Sequence, residues 1–151
     1  MSRAKLGKNH KLYRNSATYA SPTWVEISKV RDLMLDQTKD EADVTTRSSG
    51  GDKAVVGTLK NRSLDFDVLF REDDADAEAN LAALEDSYEN DTSIDMLILN
   101  GPVGTPGSKG WRITMEVFKF SNDQKLTEAS KFAVTMKPTD SDNPPETYTV
   151  P

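Results

Sequence analysis

The chain is 151 residues long, the size of one ordinary domain, with 19 basic and 25 acidic side chains, one histidine and no cysteine. Disulfides, thiolate nucleophiles, zinc knuckles and iron–sulfur centres are thereby excluded, and a Ser-His-Asp site would have to recruit its base from His10, inside a polar N-terminal stretch. Leu, Ile, Val and Phe number 31, about 21% of the chain and just above the ~20% below which chains tend to stay disordered, so the core is small and completion by neighbours is expected.

The net charge of −6 is unevenly placed. Residues 1–22 carry Arg3, Lys5, Lys8, Lys11 and Arg14 and no acid, leaving 14 basic against 25 acidic side chains in the rest, or −11. Such a basic arm suits either nucleic acid or an anionic surface, or else the acidic body of a neighbouring copy; a −11 body repels phosphate and favours the second. The start lacks the apolar stretch of a secretory signal, and no run of 18 apolar residues exists, so a cytoplasmic product without membrane insertion is expected.

The body is expected over residues 23–137. After Ser21-Pro22, Val25 and Ile27 alternate with Glu26 and Ser28, which predicts a strand. Residues 36–60 are polar around Ser48-Ser49-Gly50-Gly51 and read as a long flexible hairpin loop, with short strand arms at Val44-Thr45-Thr46 and Ala54-Val55-Val56. Leu64, Phe66, Val68 and Phe70 alternate with Ser63, Asp65 and Asp67, predicting a half-solvated strand.

A helix is predicted over 74–90, because Ala77, Leu81, Leu84 and Tyr88 form one apolar stripe behind an acidic first turn. Residues 93–99 are apolar on both faces and read as a central strand, followed by a turn-rich connection with four glycines and two prolines over 100–110. From Trp111 to Phe120 the apolar parity switches after Val117, the mark of a bulge. A last strand is predicted over 130–137, and the Pro-rich 138–151 is expected to be loosely held or to lie on a neighbour. Strands dominate around one helix. The predicted class is α+β, mainly β: an antiparallel sandwich or barrel with one flanking helix.

Chemistry-bearing motifs fail on inspection. The acidic run Glu72–Glu78 lacks the Gly and Glu positions of an EF-hand, and Gly101–Gly110 lacks the Lys-Ser/Thr of a phosphate loop. Asp65 and Asp67 read as solvated aspartates, although paired carboxylates are also an acid/base geometry. Arg112 and Lys119 with Trp111 and Phe118 offer a basic-aromatic surface, but Glu116 interrupts it and Trp111 falls on the core parity. No catalytic, metal-binding or cofactor-binding residues are assigned, and no cofactor is expected.

Taken in order, these segments resemble the major tail tube proteins of phages with long non-contractile tails. The resemblance rests on Trp24-Val25-Glu26-Ile27 with Lys29-Val30-Arg31-Asp32, the loop with Thr45-Thr46-Arg47, and Gly57-Thr58 leading into Leu64–Phe70. The helix with Leu81 and Leu84, the strand Ile94–Leu99, and Trp111–Phe120 running into Lys131–Lys137 complete it, covering about residues 20–138. It implies a structural virion protein, not an enzyme, similar in fold to tube proteins of contractile tails and type VI secretion. Such subunits form rings, typically hexameric, that stack into a tube enclosing a tape-measure protein and conducting DNA without specific binding. Tail terminator and tip proteins are the further partners implied, and the location is the virion tail after synthesis in the bacterial host's cytoplasm. The additional C-terminal immunoglobulin-like domain that some members carry is not expected here.

Under that resemblance, Leu12, Tyr13, Val44, Thr45, Thr46, Arg47, Val55 and Val56 are the expected contacts between subunits or rings. Asp65, Asp67, Asp95 and Glu116 are the expected acids of the channel wall. A tube subunit of a contractile tail or secretion apparatus, or a monomeric β-rich binding module, are the alternatives.

Overall fold

The computed structural model describes residues 10–27, 30–69, 75–123 and 131–151. Arg3, Lys5, Lys8, Ser28, Lys29, Phe70, the acidic residues 72–74 and Ser130 therefore lie outside the described residues.

Eight strands form one antiparallel sheet: β1 (Lys11–Asn15), β2 (Trp24–Glu26), β3 (Val30–Asp43), β4 (Val55–Leu69), β5 (Ile94–Leu99), β6 (Lys109–Asp123), β7 (Lys131–Pro138) and β8 (Glu146–Thr149). Their order is β2-β1-β5-β6-β7-β4-β3, with β8 paired to the start of β6. The helix α1 (Ala75–Asn90) packs across β6. The class is α+β and mainly β, and the expected sandwich or barrel takes the form of this single continuous sheet with one flanking helix.

One face of the sheet carries the main core. Leu12, Leu64, Phe66, Val68, Met96, Ile113, Met115, Val117, Val134 and Met136 are buried there against Leu81 and Leu84 of α1. Alternation on each strand explains this placement, since residues two apart share a face. A second cluster, Tyr13, Leu97, Leu99 and Val150, occupies part of the opposite face, with Trp24, Val103 and Tyr148 packed on it.

Where parity changes in β6, the ladder to β7 slips between Val117 and Lys119. This frees the buried Val117 N–H, which donates to Ser87 Oγ of α1 at 3.2 Å, while the same hydroxyl donates to Thr92 O at 2.6 Å. Buried polar groups need partners, and Ser87 supplies one across the layer. Asn80, also buried, accepts from Arg14 Nε at 2.7 Å and donates to Glu26 O at 3.1 Å, tying the front of α1 to β1 and β2.

Three segments differ from the sequence reading. Residues 36–60 are mostly not loop: β3 and β4 pair from Val30↔Val68 to Asp43↔Val55, so only 44–54 is a turn. Their polar composition reflects solvent on both faces, while ladder hydrogen bonds hold the backbone. Residues 11–15, assigned to the basic arm, form β1 between β2 and β5. Lys11 there pairs with Glu26 at 3.4 Å.

The Pro-rich end is held as well. β8 pairs with β6, and Val150 N–H donates to Ser108 O at 2.8 Å while Val150 O accepts from Gly107 N–H at 3.0 Å. The same bonds order the Gly-rich 100–110 connection, where Tyr13 Oη accepts from Val103 N–H at 3.0 Å. Short-range composition could not reveal these bonds, because each joins segments far apart in sequence.

Candidate assembly surfaces

The surfaces available for work follow from this layout. The β3–β4 hairpin extends beyond the core: β4 meets β7 only from Leu64 to Leu69, so the ladder from Ser63 back to Val55 is supported by β3 alone. Its tip is ordered by local bonds. Val44 N–H donates to Ala54 O at 3.0 Å, and Thr45 Oγ1 accepts from Ala54 N–H at 2.9 Å while Thr45 N–H donates to Asp43 Oδ1 at 2.9 Å. Thr46 N–H donates to Ser49 Oγ at 3.2 Å, and Gly50 and Gly51 take positive φ where side chains would be strained. Thr45, by its hydroxyl first and its backbone N–H second, holds the exposed Asp43 carboxyl below its ordinary pKa.

Val44, Thr45, Thr46, Arg47, Val55 and Val56 thus sit together at the exposed end of the hairpin, and the valines are about half accessible. Leu59 and Met34, nearer the body, are more exposed still, at 68% and 61%. Leu12 and Tyr13 do not join them. Both are buried within this chain, Leu12 in the main core and Tyr13 in the second cluster, so neither presents its side chain to another copy. Sequence reasoning counted them as arm residues because it had no sign of the pairing with β5.

The four acids expected on the channel wall share the face opposite the main core, but in different surroundings. Asp95 Oδ2 accepts from Arg112 Nη2 at 2.7 Å and from Arg112 Nε at 3.0 Å, with both side chains about nine-tenths buried. Asn15 Nδ2 donates to the same oxygen at 3.2 Å. Arg112 also donates to Tyr19 O at 2.7 Å and lies 3.6 Å beneath the Tyr19 ring. Burial works against its charge, but the hydrogen bond and charge of Asp95 outweigh that and hold its pKa above the ordinary arginine value. Asp95 is a structural anchor.

Asp65, Asp67 and Glu116 remain on the more open half of that face. Asp65 accepts from Thr135 Oγ1 at 2.6 Å, and Glu116 accepts from Thr139 Oγ1 at 3.2 Å. Bases intervene: Arg31 stands opposite Asp67, Lys131 lies 4.0 Å from Asp67, and Lys137 stands opposite Glu116. This half of the face is mixed in sign rather than acidic. The basic-aromatic group seen in sequence also separates, since Trp111 packs on the main core and Arg112 is buried, while Phe118 is exposed at the bulge.

Among the described residues, no three His, Asp or Glu side chains converge as metal ligands, and no helix is long and apolar enough to cross a membrane. What the described residues present is an extended hairpin, three strands paired on one side only (β2, β3 and β8) and an acidic outer face of α1.

No protein-family model matches the sequence, and no curated protein matches it. Solved structures do match the fold. The tail of an empty gene transfer agent particle, refined with C6 helical symmetry, superposes with a TM-score of 0.68 at 13% identity, covering 91% of this chain and 96% of that one. The SPP1 tail tube gives 0.69 at 11% identity, covering 89% and 76%. A chain of the anti-feeding prophage baseplate gives 0.66 at 9% identity and covers 99% of both. The fold is that of tail tube proteins.

Proposed function

We propose that this chain is the repeating subunit of a phage-type tail tube. Copies join into rings, hexameric as in the C6 gene transfer agent tail, and the rings stack into a tube through which DNA passes without specific binding. The observation that carries this reading is the agreement of fold along nearly the whole chain with tail tube proteins. The partners are further copies of the chain, a tape-measure protein inside the tube, and terminator and tip proteins at its ends. The product is made in the cytoplasm of a bacterial host and resides in the virion tail, and its role is structural rather than enzymatic.

Physical features support the assignment. The edge strands β2 and β3 leave backbone donors and acceptors unpaired, a hazard for a monomer and a resource for a cyclic assembly. A hairpin with so little of its own core gains stability when a neighbour covers it, because binding only the folded state stabilises that state. Residues 1–22 divide in this reading: β1 belongs to the body, and Arg3, Lys5 and Lys8 are left as the arm that docks on an acidic neighbour.

A tube subunit of a contractile apparatus is the second reading, favoured by the fold match, at a TM-score of 0.63 and 7% identity over 97% of this chain, to a chain of the sheath-tube complex of an extracellular contractile injection system. Negative-stain microscopy of the purified protein tests the shared claim. Rings or tubes are expected, and a species that stays monomeric at high concentration overturns it. Co-purification with a sheath protein then separates the second reading from the first.

A further inference from the structure

Lys39 and Lys60 stand directly opposite each other on β3 and β4. Like charges in that position destabilise a sheet. Arg62 adds a third positive charge two residues along the same face, its guanidinium 5.2 Å over the Trp111 ring and its Nε donating to Gln37 Oε1 at 2.9 Å. Together with Gln37, Thr38 and Trp111 these side chains line an open groove of about 560 Å³ without a carboxylate in its wall. The ion pairs formed among the described residues join Lys11 to Glu26, Arg112 to Asp95 and Lys131 to Asp67, so none of the three groove cations has an ionic partner there.

The helix has the opposite imbalance. Over Ala75–Asn90 it contains five acids and no base. Glu78, Glu85 and Glu89, spaced by seven and four, form one exposed stripe, while the other side of the helix buries Asn80, Leu81, Leu84 and Ser87. Glu85 and Glu89 repel each other one turn apart and lie toward the negative end of the helix dipole. Asp86 is already engaged by Asn90 Nδ2 at 2.6 Å.

We infer that the Lys39–Lys60–Arg62 groove of one copy receives the Glu78–Glu85–Glu89 stripe of a second copy. This deepens the tube reading and rests on it, naming the surfaces through which copies meet. Each surface carries a repulsion that the other relieves. The spacing agrees as well: Glu85 and Glu89 are about 6 Å apart along the helix axis, and Lys60 and Arg62 about 6.7 Å apart along the strand. The contact joins two different patches, so it propagates around a ring or along a stack instead of ending at a dimer.

Charge exchange tests the pairing. Lys39→Glu with Lys60→Glu reverses the groove, leaving Arg62 in place because it packs on Trp111; Glu85→Lys with Glu89→Lys reverses the helix. Circular dichroism first establishes that each double variant is folded, and sedimentation then reads assembly. Each variant alone is expected to need about tenfold more protein to assemble. An equimolar mixture of the two, and the chain carrying all four changes, are expected to assemble like the wild type. Wild-type assembly that persists unchanged in either double variant, or a loss that neither the mixture nor the fourfold variant restores, overturns the pairing and leaves the tube reading standing. Binding of a single-stranded oligonucleotide that K39E/K60E abolishes while assembly is untouched assigns the groove to nucleic acid and likewise overturns the pairing. A wild-type chain that never assembles overturns both.

Discussion

Arg112 of β6 donates to one carboxylate oxygen of Asp95 of β5, from Nη2 at 2.7 Å and from Nε at 3.0 Å, the pair about nine-tenths buried on the face of the sheet opposite the main core. The guanidinium is roofed by Tyr19 and lies 5.1 Å from the Trp24 ring, so one charge pair fastens the 16–23 connection to the central strands. Removing one partner leaves the other buried without compensation. Asp95→Asn or Arg112→Ala is therefore expected to cost about 3–5 kcal/mol, read as a lowered urea midpoint. The pair Asp95→Leu with Arg112→Met should recover most of that loss. A single variant within 1 kcal/mol of wild type would contradict the anchoring role.

A second test concerns the contact between α1 and the β6 bulge. Ser87 is fully buried and accepts the Val117 N–H that the register shift releases. Ser87→Ala keeps the volume nearly constant but leaves that amide, and Thr92 O, without the hydroxyl. The expected cost is about 1–3 kcal/mol. Hydrogen exchange localises it: the Val117 amide should lose protection before those of β5.

Gly110 gives a sharper steric prediction. A Cβ built there would lie 1.6 Å from Ile98 O, a backbone atom of the neighbouring strand with no freedom to retreat. Gly110→Ala should destabilise by at least about 3 kcal/mol or prevent folding. Gly104, where a Cβ meets nothing within 4 Å, is the control, and its alanine variant should stay within about 0.5 kcal/mol of wild type.

These sites show which parts of the molecule were legible in the sequence. Alternation announced β4 and β7, the apolar stripe announced α1, and the parity change after Val117 located the bulge, because each is a local consequence of a core face. Leu12 and Tyr13 carried no such signal. A five-residue strand with one buried side chain on each face looks like part of a polar arm until Leu97 and Ile98 are set opposite it. Asp95 was misleading for the same reason: its partner lies 17 residues away, and a solvated aspartate and an anchored one read alike. The hairpin was visible as a hairpin. Its length was hidden because strands solvated on both faces lose the alternation by which strands are read.

That length frames the final prediction. The tip over 44–54 is closed by the Val44–Ala54 backbone bond and by Thr45, and nothing in it contributes to the buried clusters. Replacing residues 44–54 with an Asn-Gly turn, which suits a two-residue hairpin connection, should leave circular dichroism and the urea midpoint nearly unchanged. If Val44, Thr45, Thr46, Arg47, Val55 and Val56 meet the next ring, the shortened protein should still form rings and fail to stack them, a difference microscopy resolves directly. Full-length tubes from the shortened chain would remove the tip from the interface and confine stacking to the body. A milder version follows from the lowered pKa of Asp43. Its bonds to Thr45 are present above the ordinary carboxylate pKa of 3.8 and are lost as pH falls through the lower folded value. The Thr45 amide resonance should therefore shift only below about pH 4, and in Asp43→Asn that transition should disappear.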